Sequence, residues 1–144
     1  MTNTTPNLEH LRHSLAHLLA AAVMELYPNA KRAIGPAIEN GFYYDFEFEK
    51  SITDIDLSKI EAKMRQILPS WDEFKLIELS KSDARAIYPN NPYKHELIDQ
   101  FSPNGEDLSF YQSGHYRDLC KGGHLESMKI VDPQSFKLTH LAGA

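Results

Sequence analysis

The chain has 144 residues, 42% hydrophobic and 24% charged, with a net charge of −5 when its seven histidines are neutral. This balance excludes a largely disordered chain and allows one ordinary domain with its own core. The acidic sum excludes binding of long nucleic acid by charge alone but leaves contact with a short nucleic-acid end open. A single cysteine forms no internal disulfide and implies no oxidising compartment, so a cytoplasmic location is expected. The longest apolar run, Leu18 to Met24, is too short to cross a bilayer, and no membrane association is expected.

Residues 1–7 read as a polar leader and residues 8–144 as one domain. Thr5 is a candidate cap and Pro6 suits the first turn of a helix. Leu8, Leu11, Leu15, Leu18, Leu19, Val23 and Leu26 then recur at helical spacing until Pro28-Asn29. Asn40-Gly41 lies between two β-prone runs, 33–38 and 42–48, and predicts a hairpin. In its second arm Phe42, Tyr44, Phe46 and Phe48 share one face. Thr53 or Asp54 opens a second helix with Leu57, Ile60, Met64 and Ile67 as its stripe, closed by Pro69. A strand is expected over 74–79, a short helix capped by Ser82-Asp83 through Ile87, and another over 92–101. A short strand at 108–111, an irregular stretch at 114–123 and a last strand at 135–140 complete the reading. Helices and strands mix without strict alternation, so the fold class is α+β, a mostly antiparallel sheet packed with a long N-terminal helix and shorter helices.

His13 and His17 stand four apart on the first helix, which puts both imidazoles on one face. Much later comes Asp118-Leu119-Cys120-Lys121-Gly122-Gly123-His124, with Cys120 and His124 also four apart. Three imidazoles and one thiol are a donor set with the number and softness that tetrahedral zinc takes. Against this, histidine pairs on helices often simply pack or face solvent, and a lone cysteine is commonly a small buried hydrophobe. Gly122 and Gly123 remove side chains beside Cys120 and His124, which lets another molecule come close to the backbone.

Five ordered segments carry a resemblance: His13 to Leu19, Ile34-Gly35-Pro36 through Asn40-Gly41-Phe42-Tyr43-Tyr44-Asp45-Phe46, Asn91-Pro92-Tyr93-Lys94, Asp118 to His124, and Phe136-Lys137-Leu138 with Ala142-Gly143-Ala144. Together they resemble the editing domain of bacterial-type threonyl-tRNA synthetases over nearly the whole chain. The related alanyl-type editing domains share the His13/His17 and Cys120/His124 pairs but do not usually show the Gly-Pro and Asn-Gly-Phe-Tyr-Tyr-Asp run. The chain departs from the family at Lys121-Gly122-Gly123, where Arg-Gly-Pro is frequent, which changes the charge geometry and loosens the loop. Within these 144 residues no preceding small domain and no aminoacylation or anticodon-binding domain is expected. A fragment of a synthetase is therefore expected in preference to a free-standing protein.

The resemblance implies hydrolytic removal of serine from mischarged seryl-tRNA(Thr), at the aminoacylated 3′ end. It matches Lys94 to a catalytic lysine that positions or activates water or stabilises an oxyanion, and His13 to a catalytic histidine that protonates the leaving ribose oxygen or orients water. His17, Cys120 and His124 would line the same site, with Tyr44, Asp118, Gly122 and Gly123 on the substrate. Asp118 would bind the seryl ammonium or hold a histidine. Without the family match, Lys94 reads as a solvated helix lysine, Tyr44 as a core aromatic and Asp118 as a loop-capping carboxylate. No cofactor is required on this reading; zinc on His13, His17, Cys120 and His124 is the alternative. Cys120 is not expected to be a covalent nucleophile. The competing readings are a zinc-dependent alanyl-type trans-editing deacylase and a non-catalytic module that binds metal or docks tRNA.

Overall fold

The computed structural model describes residues 7–142; Thr5, Pro6 and the final Gly143-Ala144 lie outside them. Helix α1 spans Leu8–Leu26, and its cap among the described residues is Asn7, whose side chain accepts from the His10 N–H. The helix ends before Pro28. Leu15, Leu18, Leu19 and Val23 are buried as the helical spacing predicts, whereas Leu8 remains exposed. Ala16, Ala20, Ala21 and Ala22 are buried too, so α1 passes through the protein with little bulk on its sides.

A long antiparallel ribbon follows. Strand β1 (Lys31–Arg32) pairs with β4 (Phe46–Glu47), and β2 (Ala37–Ile38) pairs with β3 (Gly41–Phe42). The expected hairpin forms, but its turn is Glu39-Asn40, one residue before the Asn-Gly pair, because Gly41 is already paired with Ile38. Between the two ladders the first arm carries one residue more than the second, the count of a β-bulge. Phe42, Tyr44, Phe46 and Phe48 all pack on the core through the predicted alternation. Gly35 makes this fit: a Cβ there would stand 2.4 Å from Tyr44 Cδ2 and 2.6 Å from the Tyr43 carbonyl oxygen. Gly35→Ala is expected to destabilise the chain by about 1–3 kcal/mol through overpacking. Urea denaturation checks this, and an unchanged midpoint would contradict it.

Helix α2 spans Asp54–Ile67 after Thr53, whose N–H donates to the Asp56 carboxylate. Ile60 and Met64 are buried against α1, and Leu68, in the 3₁₀ turn Leu68–Ser70, joins the same core. Strand β5 is Lys75–Leu79. Helix α3 (Lys81–Ile87) is capped by Ser80 and not by Ser82-Asp83, since the Ser80 hydroxyl accepts from the Asp83 N–H. Helix α4 is Pro92–Phe101, with Asn91 as cap and Pro92 in the first turn.

Strand β6 runs Leu108–Ser113, longer than expected, and turns directly into β7, Tyr116–Leu119. The stretch 114–123 is thus strand in its first half and irregular only afterwards. The three-stranded antiparallel sheet has the order β5-β6-β7. It buries Leu108, Phe110 and Leu119 against α3 and α4, a second, smaller core. The predicted strand at 135–140 is absent. Its backbone groups bond instead to side chains of α2: Arg65 donates to the Phe136 carbonyl, as well as to that of Pro133 just before the segment, and the Leu138 N–H donates to Glu61. Side-chain partners replace a ladder there. The fold is α+β with every strand pair antiparallel. No described helix is long and apolar enough to cross a membrane.

Candidate active site

Three local structures aim their side chains at one place. The first is α1. Ser14, between the two histidines, donates to the His10 carbonyl and accepts from the Leu125 N–H. This bond draws the late loop onto α1 just beyond His124. The second is that loop. Cys120 is held at the end of the sheet, where its N–H donates to the Ser109 carbonyl and its own carbonyl accepts from the Ser109 hydroxyl at 2.6 Å. The chain then bends through Gly122 (φ 111°) and Gly123 (φ 88°), values that side chains rarely tolerate. The third is the start of α4, where Asn91 caps the helix and also donates to the Arg32 carbonyl, fixing Lys94 relative to β1.

The result is a compact donor cluster. The His13 and His17 Nε2 atoms are 3.3 Å apart, and Cys120 Sγ is 3.5 Å from His13 Nε2 and 3.3 Å from His124 Nε2. All four donor atoms lie within 4.8 Å of one another. His13 Nδ1 is 3.1 Å from the Gly123 carbonyl oxygen. A carbonyl only accepts, so Nδ1 carries the proton and Nε2 presents its lone pair to the cluster. The His124 ring is wedged between Phe74 (4.3 Å between centroids) and His13 (4.6 Å), and His17 sits edge-on to Phe74 and Tyr116. Space beside Gly123 is taken by His13, 3.4 Å from where a Cβ would stand, and beside Gly122 by Tyr111. Both glycines allow the loop's bend and its close packing.

The second feature is Asp118, which lies on β7, not in a loop, and is 1% exposed. Its Oδ1 accepts from Lys94 Nζ at 3.0 Å, from the Leu119 N–H at 3.0 Å and from the Tyr88 hydroxyl. Its Oδ2 accepts from Tyr44 at 2.5 Å and from Tyr116 at 2.7 Å. Arg32 Nη1 stands 3.7 Å from Oδ1, and His17 Nδ1 is 3.9 Å from Oδ2. Lys94, far from being solvated, is 2% exposed. Tyr88, Tyr116 and Arg32 were not legible as site residues. Tyr116 could have been found by reading β7 as a strand, where it shares a face with Asp118; Tyr88 and Arg32 gave no signal.

Burial works against the charge of Asp118, but Lys94 and then Arg32 overcome it and hold the carboxyl well below the usual carboxylate range. Burial lowers the Lys94 ammonium's pKa, and Asp118 offsets only part of the effect. Burial also pushes His17 and His124 down to about 3, lowers His13, and pushes the Cys120 thiol up to about 11. At neutral pH the cluster is therefore three neutral imidazoles and a protonated thiol.

A stability profile follows. Between about pH 6.5 and 3 the unfolded chain binds protons at positions 17 and 124 that the folded chain refuses. Stability is thus complete above pH 6.5 and falls as pH drops through this window. The Cys120 shift acts oppositely, with stability falling as pH rises from 9 towards 11. Melting temperature against pH, in chelator-treated protein, is expected to fall on both sides of a neutral plateau. A flat profile from pH 7 to pH 4 would contradict the neutral burial of His17.

His13, His17, Tyr44, Lys94, Asp118 and Cys120 open on one cleft of about 390 Å³. Ile34, Gly35 and Pro36 of the ribbon form one wall, and Leu97 and Phe101 of α4 another. Gly122 and Gly123 also line it, whereas His124 belongs to the donor cluster and is not among the lining residues. The four donors suit zinc in type, number and spacing, and the Gly123 carbonyl on His13 is a usual outer partner of a metal-binding imidazole. With all four engaged a zinc ion would have no open position, the mark of a structural site.

No protein-family model matches the chain. Among curated proteins it is 50% identical over 133 residues to the threonine–tRNA ligase of Borrelia hermsii, and 49% identical over 133 residues to that of Borreliella burgdorferi. It is 47% identical over 137 residues to the Treponema pallidum ligase. These alignments take in 92–95% of this chain but only 23% of each ligase.

Proposed function

The chain is homologous to one segment of the threonine–tRNA ligases, and from that premise we propose that its cleft hydrolyses the ester of seryl-tRNA(Thr), as an editing domain spanning residues 8–144 of a cytoplasmic synthetase. The observation that carries this reading is the meeting of His13, Cys120 and a buried Lys94 on one open cleft. The partners are the aminoacylated 3′ end of the tRNA and the rest of the synthetase.

Each residue has a role that its surroundings support. Asp118 has both oxygens occupied by protein donors, so it acts on substrate through Lys94, which it anchors at 3.0 Å. Lys94 donates to the oxygen that becomes negative when water adds to the seryl carbonyl. His13 Nε2, the unprotonated nitrogen of that ring, accepts the proton from that water. The same nitrogen returns the proton to the ribose oxygen as the ester C–O bond breaks. The Cys120 thiol is protonated and contributes packing and a weak donor, with no covalent step. Tyr44 forms part of the wall against which the seryl adenosine lies. Serine differs from threonine by one methyl, worth roughly 1–3 kcal/mol in a fitted pocket, so a second site that admits only the smaller ester adds discrimination.

The test is to offer seryl-tRNA(Thr) to the chain at high enzyme concentration. Serine release above the uncatalysed rate is expected, and His13→Ala should slow it by about 10²-fold while circular dichroism stays unchanged. No release by the wild-type chain would overturn the proposal. A zinc-dependent, alanyl-type deacylase is a second reading, favoured by the close spacing of the four donors. Zinc held by three of the four donors would there keep an open position and supply Lewis-acid polarisation. Stoichiometric zinc in the purified protein, together with loss of activity on its removal, would favour that reading.

A further inference from the structure

A chain of net charge −5 that handles a polyanion must concentrate its positive charge somewhere. A second hollow, of about 210 Å³, is lined by Met24, Arg32, Ile87, His115, Tyr116 and Arg117. No carboxylate is among these residues, and Asp118, which stands 3.7 Å from Arg32 Nη1, is itself 1% exposed. Arg32 forms part of the hollow's lining and is held in place beforehand. Its guanidinium lies 4.8 Å from the Tyr88 ring centre and 5.3 Å from that of Tyr116, and its Nη1 donates to the Arg117 carbonyl at 3.1 Å. His115 and Arg117, on the β6–β7 hairpin, are exposed, and their side chains make no hydrogen bond or ion pair with any described residue. Lys75, Gln112 and Arg117 are neighbours across the three strands, which adds a further exposed cation to this end of the sheet.

We propose that this hollow is a phosphate-binding site that takes a backbone phosphodiester of the tRNA whose ester occupies the cleft. The inference rests on the editing reading given above. A planar, pre-ordered guanidinium with a second free arginine beside it suits the forked acceptor geometry of a phosphate. Backbone phosphate contacts position a nucleic acid without reading its sequence. Such contacts supply the docking force that the overall charge does not.

The probe is unacylated tRNA(Thr), bound by the wild-type chain, by Arg117→Ala, and by Lys59→Ala, which removes one exposed cation of α2 outside the hollow. Fluorescence anisotropy over a salt series is expected to show at least fivefold weaker binding for Arg117→Ala and a salt dependence reduced by about one unit of slope. Lys59→Ala should change affinity less than twofold. Equal effects of the two substitutions, or none, would overturn the proposal, as would a hollow that binds inorganic phosphate while Arg117→Ala leaves tRNA affinity intact. Hydrolysis of seryl-adenosine, which lacks the backbone, should be unchanged in Arg117→Ala; a loss there would place Arg117 in the cleft's chemistry and sink the docking role. Because binding is read without hydrolysis, failure of the wild-type chain to release serine counts against the editing reading alone.

Discussion

Asp118→Ala is expected to lower stability by about 3–5 kcal/mol, the range for breaking a buried ion pair by removing one partner. Lys94 and Arg32 would keep buried positive charge with no counterion, and the Tyr44, Tyr88 and Tyr116 hydroxyls would lose their common acceptor. The carboxylate also stitches three parts of the chain together, the ribbon through Tyr44, the α3–α4 connection through Tyr88, and α4 through Lys94. In a chain of this size the melting temperature should fall by roughly 10 °C or more. Asp118→Asn, which keeps one acceptor oxygen but no charge, should fall between. A loss under 1 kcal/mol for the alanine variant would mean that water replaces the carboxylate freely, and that the cage is not closed.

Lys94→Ala should separate chemistry from folding. Asp118 then keeps three tyrosine hydroxyls, the Leu119 N–H and the nearby Arg32, so the stability loss should be smaller than for Asp118→Ala. The rate of serine release under single-turnover conditions should nevertheless drop about 10²–10³-fold, the usual effect of deleting one donor to a developing oxyanion. Lys94→Arg should not restore it, because a planar fork does not fit where a point charge sits at 3.0 Å from one carboxylate oxygen. A variant that unfolds more readily but turns over normally when folded would assign Lys94 a structural role only.

Much of this architecture could be read from residue spacing. The period of leucines along 8–26, the alternation of Phe42, Tyr44, Phe46 and Phe48, and the Asn91-Pro92 start of α4 each mark local structure decided by short-range chemistry. Failures arose where distant partners decide. The segment 135–140 looks β-prone, yet Arg65 and Glu61 of α2 take its backbone bonds. Tyr116 to Leu119 holds two charged residues in four, and reads as a loop until Asp118 is seen to be neutralised by Lys94. The same holds at the site. His13, His17, Cys120 and His124 stood out because their types and intervals are uncommon, and Lys94, Tyr44 and Asp118 because they fall in recognisable segments. Tyr88, Tyr116 and Arg32 are ordinary residues made important by convergence on one carboxylate, which no local pattern announces.

A cleft proposed to hydrolyse the smaller of two nearly identical esters must discriminate between them. Single-turnover release of amino acid from seryl-tRNA(Thr) and threonyl-tRNA(Thr) by this chain tests this most directly. Serine should leave at least about 10-fold faster than threonine, consistent with the value of one methyl. Equal rates for the two esters, or release of neither, would contradict it.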